Sequence, residues 1–223
     1  MPTHKIHLAI AKKVNEHLNL DLDSIMLGSV LPDLNINGNH TLSHCQNGKL
    51  GVDGTANPDK FVNEYRDKLN NPVMVGYLIH LLTDKFYNTY AFTNFYIYDK
   101  SGNDIGLHFK HKDKLLPFER IKYYKHREFG LYDYYLLNNG YIPKFKDYKC
   151  LNNVMDIKIA KFNIEKLKNY IKSSNQEIDK IKFLGKFKPL FFKLTTKDEL
   201  DKQFELCIKY IVTYIKNNLY KEG

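Results

Sequence analysis

The chain has 223 residues, 43% hydrophobic and 26% charged, a balance that excludes a disordered or fibrous protein and allows one substantial core. It holds no run of about 18 apolar residues, no secretory pattern behind Met1-Pro2-Thr3, and three scattered cysteines, Cys45, Cys150 and Cys207, without a CxxC, so a cytoplasmic protein without transmembrane helix or disulfide framework is expected. The formal net charge of +9 attracts phosphate-bearing partners, but it is built almost wholly from Lys, with Arg only at 66, 120 and 127, which supports nucleic-acid binding only weakly.

The hydrophobic pattern predicts an all-α fold: a single-domain helical bundle over 1–223 with a metal site in a cleft between helices. Thr3 caps a first helix carrying Ile6, Leu8, Ile10, Val14 and Leu18. A short second helix is expected from about Asp23 to Val30, stopped by Pro32. Residues 35–56, with Gly38, Gly48, Gly51 and Gly54, read as a long loop of the kind that is functional or mobile. Asn57-Pro58-Asp59 opens the next helix. Asn71-Pro72 then starts the most apolar segment, 73–98, expected to be a central buried helix. Ser101-Gly102-Asn103-Asp104 marks a turn, and the stretch Leu107 to Asp113, with His108 and His111, reads as a basic loop able to neutralise a phosphate or close over a cleft. Further helices are expected at 117–137, 153–173 and 195–221, the last opened by the capping box Thr196-Lys197-Asp198-Glu199, and 186–194 reads as extended.

His80-Leu81-Leu82-Thr83-Asp84 places an imidazole and a carboxylate one turn apart on the most apolar helix. Burying an ionised carboxylate there costs several kcal/mol or more, roughly, unless it is paired. Either a His–Asp hydrogen bond or a divalent cation offsets that cost, and both residues are good zinc ligands. Asp33 stands behind Pro32 at the mouth of the long loop, which then presents His40 and His44, while His4 and His7 share a face of the first helix. Six of the nine histidines, these five and His17, thus fall within the first 80 residues, which favours a metal site over a set of unrelated side chains.

Met1-Pro2-Thr3-His4, Leu27-Gly28-Ser29-x-x-Pro32-Asp33, the loop histidine and Gly76-Tyr77-x-x-His80-x-x-x-Asp84 occur in the order seen in the zinc-dependent phospholipase C family. Over about residues 2–90 the chain resembles a small, unsecreted bacterial member. The resemblance implies an all-helical fold with metal ions in a cleft. It makes His4, Asp33, His44, His80 and Asp84 the metal ligands. Asp33 would also contact the attacking water and Asp84 would bridge two metals, one of them also held by His4 and the chain's amino terminus.

The chain departs from the family at the third zinc. Tyr90 stands where the family has a His, and no downstream His-x-x-x-Glu occurs: Lys112, Leu115 and Gly130 follow His108, His111 and His126. One or two zinc ions are therefore expected, with His126 and Asp133 as material for an altered third site. The expected function is a metal-dependent hydrolase of phosphate esters, most of all a phosphodiesterase with phospholipase C-like chemistry. The alternatives are a single-strand nuclease-like phosphodiesterase and a non-catalytic helical binding protein stapled by metal.

Overall fold

The computed structural model describes residues 2–36, 38–46, 55–91, 95–101, 103–109, 112–185 and 191–219. Helix α1, His4–Leu18, starts where the Thr3 hydroxyl accepts the Ile6 N–H, and ends at Asn19, whose left-handed backbone turns the chain out. Helix α2, Leu22–Gly28, is capped by Asp21. A 3-10 turn, Leu31–Leu34, carries Pro32 and Asp33, and the short α3 spans His40–Ser43. Helices α4, Pro58–Tyr65, and α5, Pro72–Phe86, both begin with an Asn cap followed by Pro, as the sequence predicts.

Helix α5 is the axis of the molecule: every residue from Val73 to Asp84 is buried, including His80 and Asp84. Its closest neighbour is α2, and two glycines set the spacing. A methyl group built on Gly28 would collide with the Val73 carbonyl oxygen and stand 2.8 Å from Gly76 Cα, and one on Gly76 would collide with the Ile25 carbonyl oxygen. The two backbones therefore touch where the Leu27-Gly28-Ser29 and Gly76-Tyr77 motifs meet, a contact that no side chain permits. Core residues of α1, α6, α7 and α8 close around this pair.

The expected single apolar helix over 73–98 is shorter. Helix α5 stops at Phe86, a π turn covers Tyr87–Ala91, and a strand begins at Tyr96. Strands β1, Tyr96–Tyr98, β2, Asp104–Phe109, and β3, Lys112–Leu115, form an antiparallel sheet in chain order. The fold is mostly helical rather than all-α, and residues 107–109 and 112–113 belong to a hairpin rather than a loop. The physical reason is a two-residue alternation of β-prone side chains, which buries Leu107 against Ile121 and Leu194.

Helix α6 spans Phe118–Asn138, close to expectation. Helix α7, Ile164–Gly185, begins about eleven residues later than the expected 153, because Asn163 caps it by accepting the Lys166 N–H at 3.0 Å, while Lys149–Asn153 forms a 3-10 turn. Helix α8, Lys197–Leu219, keeps its capping box: the Thr196 hydroxyl accepts the Glu199 N–H, and the Glu199 carboxylate accepts the Thr196 N–H at 2.9 Å. Met1, Gly48, Gly51, Gly54, His111, Phe187 and Leu190 lie outside the described residues, so the amino-terminal ligand and part of the long loop are not described.

Candidate metal centre

Four elements converge on one point. Helix α1 brings His7 and His4, the 3-10 turn brings Asp33, α3 with its C-cap brings His40 and His44, and α5 brings His80 and Asp84. At the base, Asp84 is ringed by three imidazoles: His44 Nε2 lies 3.3 Å from Oδ2, His80 Nε2 3.5 Å from Oδ2, and His7 Nε2 3.5 Å from Oδ1. All four side chains are buried. At the mouth, Asp33 is approached by His4 at 3.3 Å, His44 at 3.5 Å and His40 at 3.9 Å, and His4 and His40 are partly exposed. His44 joins the two tiers.

The hydrogen bonds fix which ring nitrogens face the centre. His80 Nδ1 lies 2.8 Å from the Ser29 carbonyl oxygen, so it must donate there, and its Nε2 points a lone pair inward. His44 Nδ1 likewise donates to the His40 carbonyl oxygen at 2.9 Å, with the Ser43 hydroxyl 3.0 Å away. The two Nε2 atoms stand 3.0 Å apart. The Ser29 contact exists because the glycine seam presses the end of α2 onto α5, and the Tyr77 hydroxyl holds α3 by donating to the Ser43 carbonyl oxygen at 2.6 Å. Backbone anchors of this type are what orient metal-binding imidazoles.

Both oxygens of Asp84 and both ring nitrogens of His7 are buried without a hydrogen-bond partner. Four orphaned polar atoms in one place cost several kcal/mol, roughly, as a purely structural arrangement. A divalent cation among them removes that cost, and N/O donor sets of His and Asp suit zinc. Three overlapping sets each bring one ligand atom per residue within 4.8 Å: His44–His80–Asp84, His7–Asp33–His80 and Asp33–His40–His44. The residues present therefore fit a metal ion.

The charge states agree with that fit. Burial works to raise the Asp84 carboxyl, but His80, His44 and His7 outweigh it and hold it well below the usual carboxylate range. Burial also opposes ionisation of Asp33, and His4 and His44 overcome it in the same direction. Burial pulls the His44 imidazole down, but the Asp33 and Asp84 carboxylates, 3.5 and 3.3 Å away, dominate and push it up to about 9. His7 is lowered to about 4, first by burial and then by His80, so it is neutral with a free lone pair at pH 7. Burial and the neighbouring His44 lower His40 as well.

Of the residues singled out from sequence, Asp33, His44, His80 and Asp84 come together at the centre. His4 reaches Asp33 instead of Asp84, with its ring edge-on to Tyr170 at 5.5 Å. The place beside Asp84 is taken by His7, stacked on His80 with ring centroids 4.0 Å apart. The sequence carries a signal for this: His7 sits among Ile6, Leu8, Ala9 and Ile10, all buried, whereas His4 adjoins Thr3 and Lys5 at the helix start. His126 and Asp133 do not pair as an altered third site. His126 is exposed on α6, and Asp133 accepts the Thr3 hydroxyl at 2.5 Å. His108 lies in β2, 2.8 Å from Asp113.

No protein-family model, curated protein or solved structure matches the chain.

Proposed function

We propose that the chain is a zinc-dependent hydrolase of phosphate esters, with phosphodiesters as substrates and chemistry like that of the phospholipase C family. The observation that carries this reading is the pair of Nε2 atoms of His44 and His80, 3.0 Å apart, facing the buried Asp84 carboxylate, which accepts no hydrogen bond. On this reading His7, His44, His80 and Asp84 hold the ion most deeply, and Asp33 holds it from the mouth. A zinc ion so held supplies Lewis acidity toward a phosphoryl oxygen and makes water acidic enough to serve as nucleophile near neutral pH.

The chain's own residues do the rest. Asp33 is ionised, and its side chain keeps 14% exposure, so one oxygen can meet a water entering from solvent. It orients that water in line with the phosphorus and takes its proton as the new O–P bond forms. His4, 3.3 Å from Asp33 and partly exposed, can pass the proton to solvent. The P–O bond to the alcohol breaks on the opposite side, and the departing alkoxide is protonated at the open mouth. Asp84, fully enclosed, has no access to substrate and acts only as a ligand.

The test is metal content by elemental analysis together with turnover of bis(p-nitrophenyl) phosphate. The native chain is expected to carry one or two zinc ions and to turn over. Asp84→Asn loses metal and activity together. Asp33→Asn is expected to lose activity by a larger factor than it loses metal. Activity unchanged in both variants would overturn the reading.

The burial of His7, His44, His80 and Asp84 favours one rival, a closed structural metal that only staples the helices. In that case zinc is bound, the Asp84 variant unfolds more easily, and no phosphodiester is turned over.

A further inference from the structure

Helix α8 has two faces. Leu200, Phe204, Cys207, Ile208, Ile211 and Ile215 are buried in the core, and Cys207 packs by Thr83 on the back of the metal centre. The opposite stripe, with Lys202, Gln203, Leu206, Lys209, Tyr210 and Thr213, lines a cleft of about 1000 Å³ closed by the end of α5 and by β2. No residue of the metal centre lines it. A cavity of that size is in the range that takes a whole small molecule.

We propose that this cleft is a second ligand site, for a planar heteroaromatic molecule carrying phosphate, a mononucleotide in chemical class. Three features select that class. The first is the wall: among the described residues, the rings of Phe86, Phe95, Phe109, Tyr210 and Tyr214 dominate its apolar part, and the aliphatic share is Leu194 and Leu206. Aromatic walls suit the face of a base, which stacks on them whatever its identity. An aliphatic tail would need no such rings.

The second is Gln203. Its side-chain oxygen is buried and has no hydrogen-bond partner among the described residues. Leaving such an acceptor unsatisfied is costly, and a turn of the Gln203 amide into the cleft would let an exocyclic amine of a base supply the missing donor. A hydrocarbon chain cannot. The third is charge. Lys202 and Lys209 stand two turns apart on the exposed rim of the stripe, and neither makes an ion pair among the described residues. Glu199, the acid on the same wall, is occupied: its carboxylate accepts from the Thr195 hydroxyl at 2.6 Å and from the Thr196 N–H at 2.9 Å. The base would lie against the rings with its amine on Gln203, and the phosphate would reach the lysines.

The site does not depend on the hydrolase reading, and its test removes the metal centre from play. Binding of adenosine 5′-monophosphate to the full chain is measured calorimetrically in excess chelator, so that no metal holds the phosphate. One saturable site is expected. Gln203→Leu weakens it by roughly tenfold or more. Inosine 5′-monophosphate, which lacks the exocyclic amine, loses the same factor on the native chain and nothing further on the variant. Lys209→Glu, an exposed change that leaves the core untouched, weakens the nucleotide, and the native affinity falls with added salt. No saturable binding at millimolar nucleotide would overturn the proposal. So would equal affinity in native, Gln203→Leu and Lys209→Glu chains. Dodecyl phosphate binding in place of the nucleotide would likewise overturn it in favour of an acyl ligand.

Discussion

The Nε2 atoms of His44 and His80 lie 3.0 Å apart while the Nδ1 atom of each donates to a backbone carbonyl. Two lone pairs at that distance repel unless something positive lies between them. In the metal-free protein the proton that His44 retains up to about pH 9 fills that role, and a cation would replace it.

Metal binding would therefore release that proton. Affinity for zinc is expected to rise by about tenfold per pH unit between pH 6 and 8 and to level off near pH 9, where His44 gives up its proton unaided. Competition against a chelator of known affinity at several pH values measures the slope. A flat profile would mean that His44 is neutral before the metal arrives.

His7 and His4 separate the base of the site from its mouth. His7→Ala removes a neutral ligand beside Asp84, so it is expected to cost more than the roughly 10–100-fold in affinity typical of outer-shell changes. His4→Ala, a change beside Asp33 only, is expected to leave most of the metal in place and to slow turnover. Elemental analysis of the two variants distinguishes them, and equal metal loss would contradict the two-tier arrangement.

The glycine seam is testable without metal. Gly76→Ala places a methyl group against the Ile25 carbonyl, and Gly28→Ala places one against that of Val73. Either is expected to destabilise the chelator-treated protein by about 3 kcal/mol or more, since backbone cannot move aside as a side chain can. Urea unfolding measures it. A cost below about 1 kcal/mol would show that the helices separate freely.

Asp133 gives stability its own pH dependence. Burial, against the opposing pull of the Thr3 hydroxyl, pushes its carboxyl from 3.8 up to about 7. Between those values the folded chain holds a proton that the unfolded chain has lost. Its contribution is complete below about pH 3.8 and is lost as pH rises through about 7, with a slope of at most about 1.4 kcal/mol per unit. Asp133→Asn keeps the shape without the proton. The variant is therefore expected to gain on the native chain between pH 5 and pH 8 in chelator. A constant difference between the two would contradict the shift.

The sequence carries the helical frame and the deep half of the site for identifiable reasons. The spacing of four between His80 and Asp84 in an apolar run is enough to put both on one buried face, and Asn-Pro pairs announce α4 and α5. His7 is harder to read because it shares a helical face with His4, and only the apolar neighbours of His7 separate the two. The sheet is hidden because Lys112, Asp113 and Lys114 on exposed β3 look like loop residues, although Leu107 beside them is buried. The late start of α7 depends on Asn163, one of many polar residues, and nothing local ranks it above the others as a cap. The cleft on α8 is a property of what fails to cover a helix, which no periodicity reports.

The seam between Gly28 and Gly76 also governs how the site can change. The anchor from Ser29 to His80 is a backbone atom held in place by two other stretches of backbone in contact, so its position cannot be retuned by choosing a different rotamer or a longer side chain. Adapting the base of the site to a larger ion means shifting a whole helix. If the centre holds an ion, its selectivity for ionic size would then be carried by two residues that touch no ion at all.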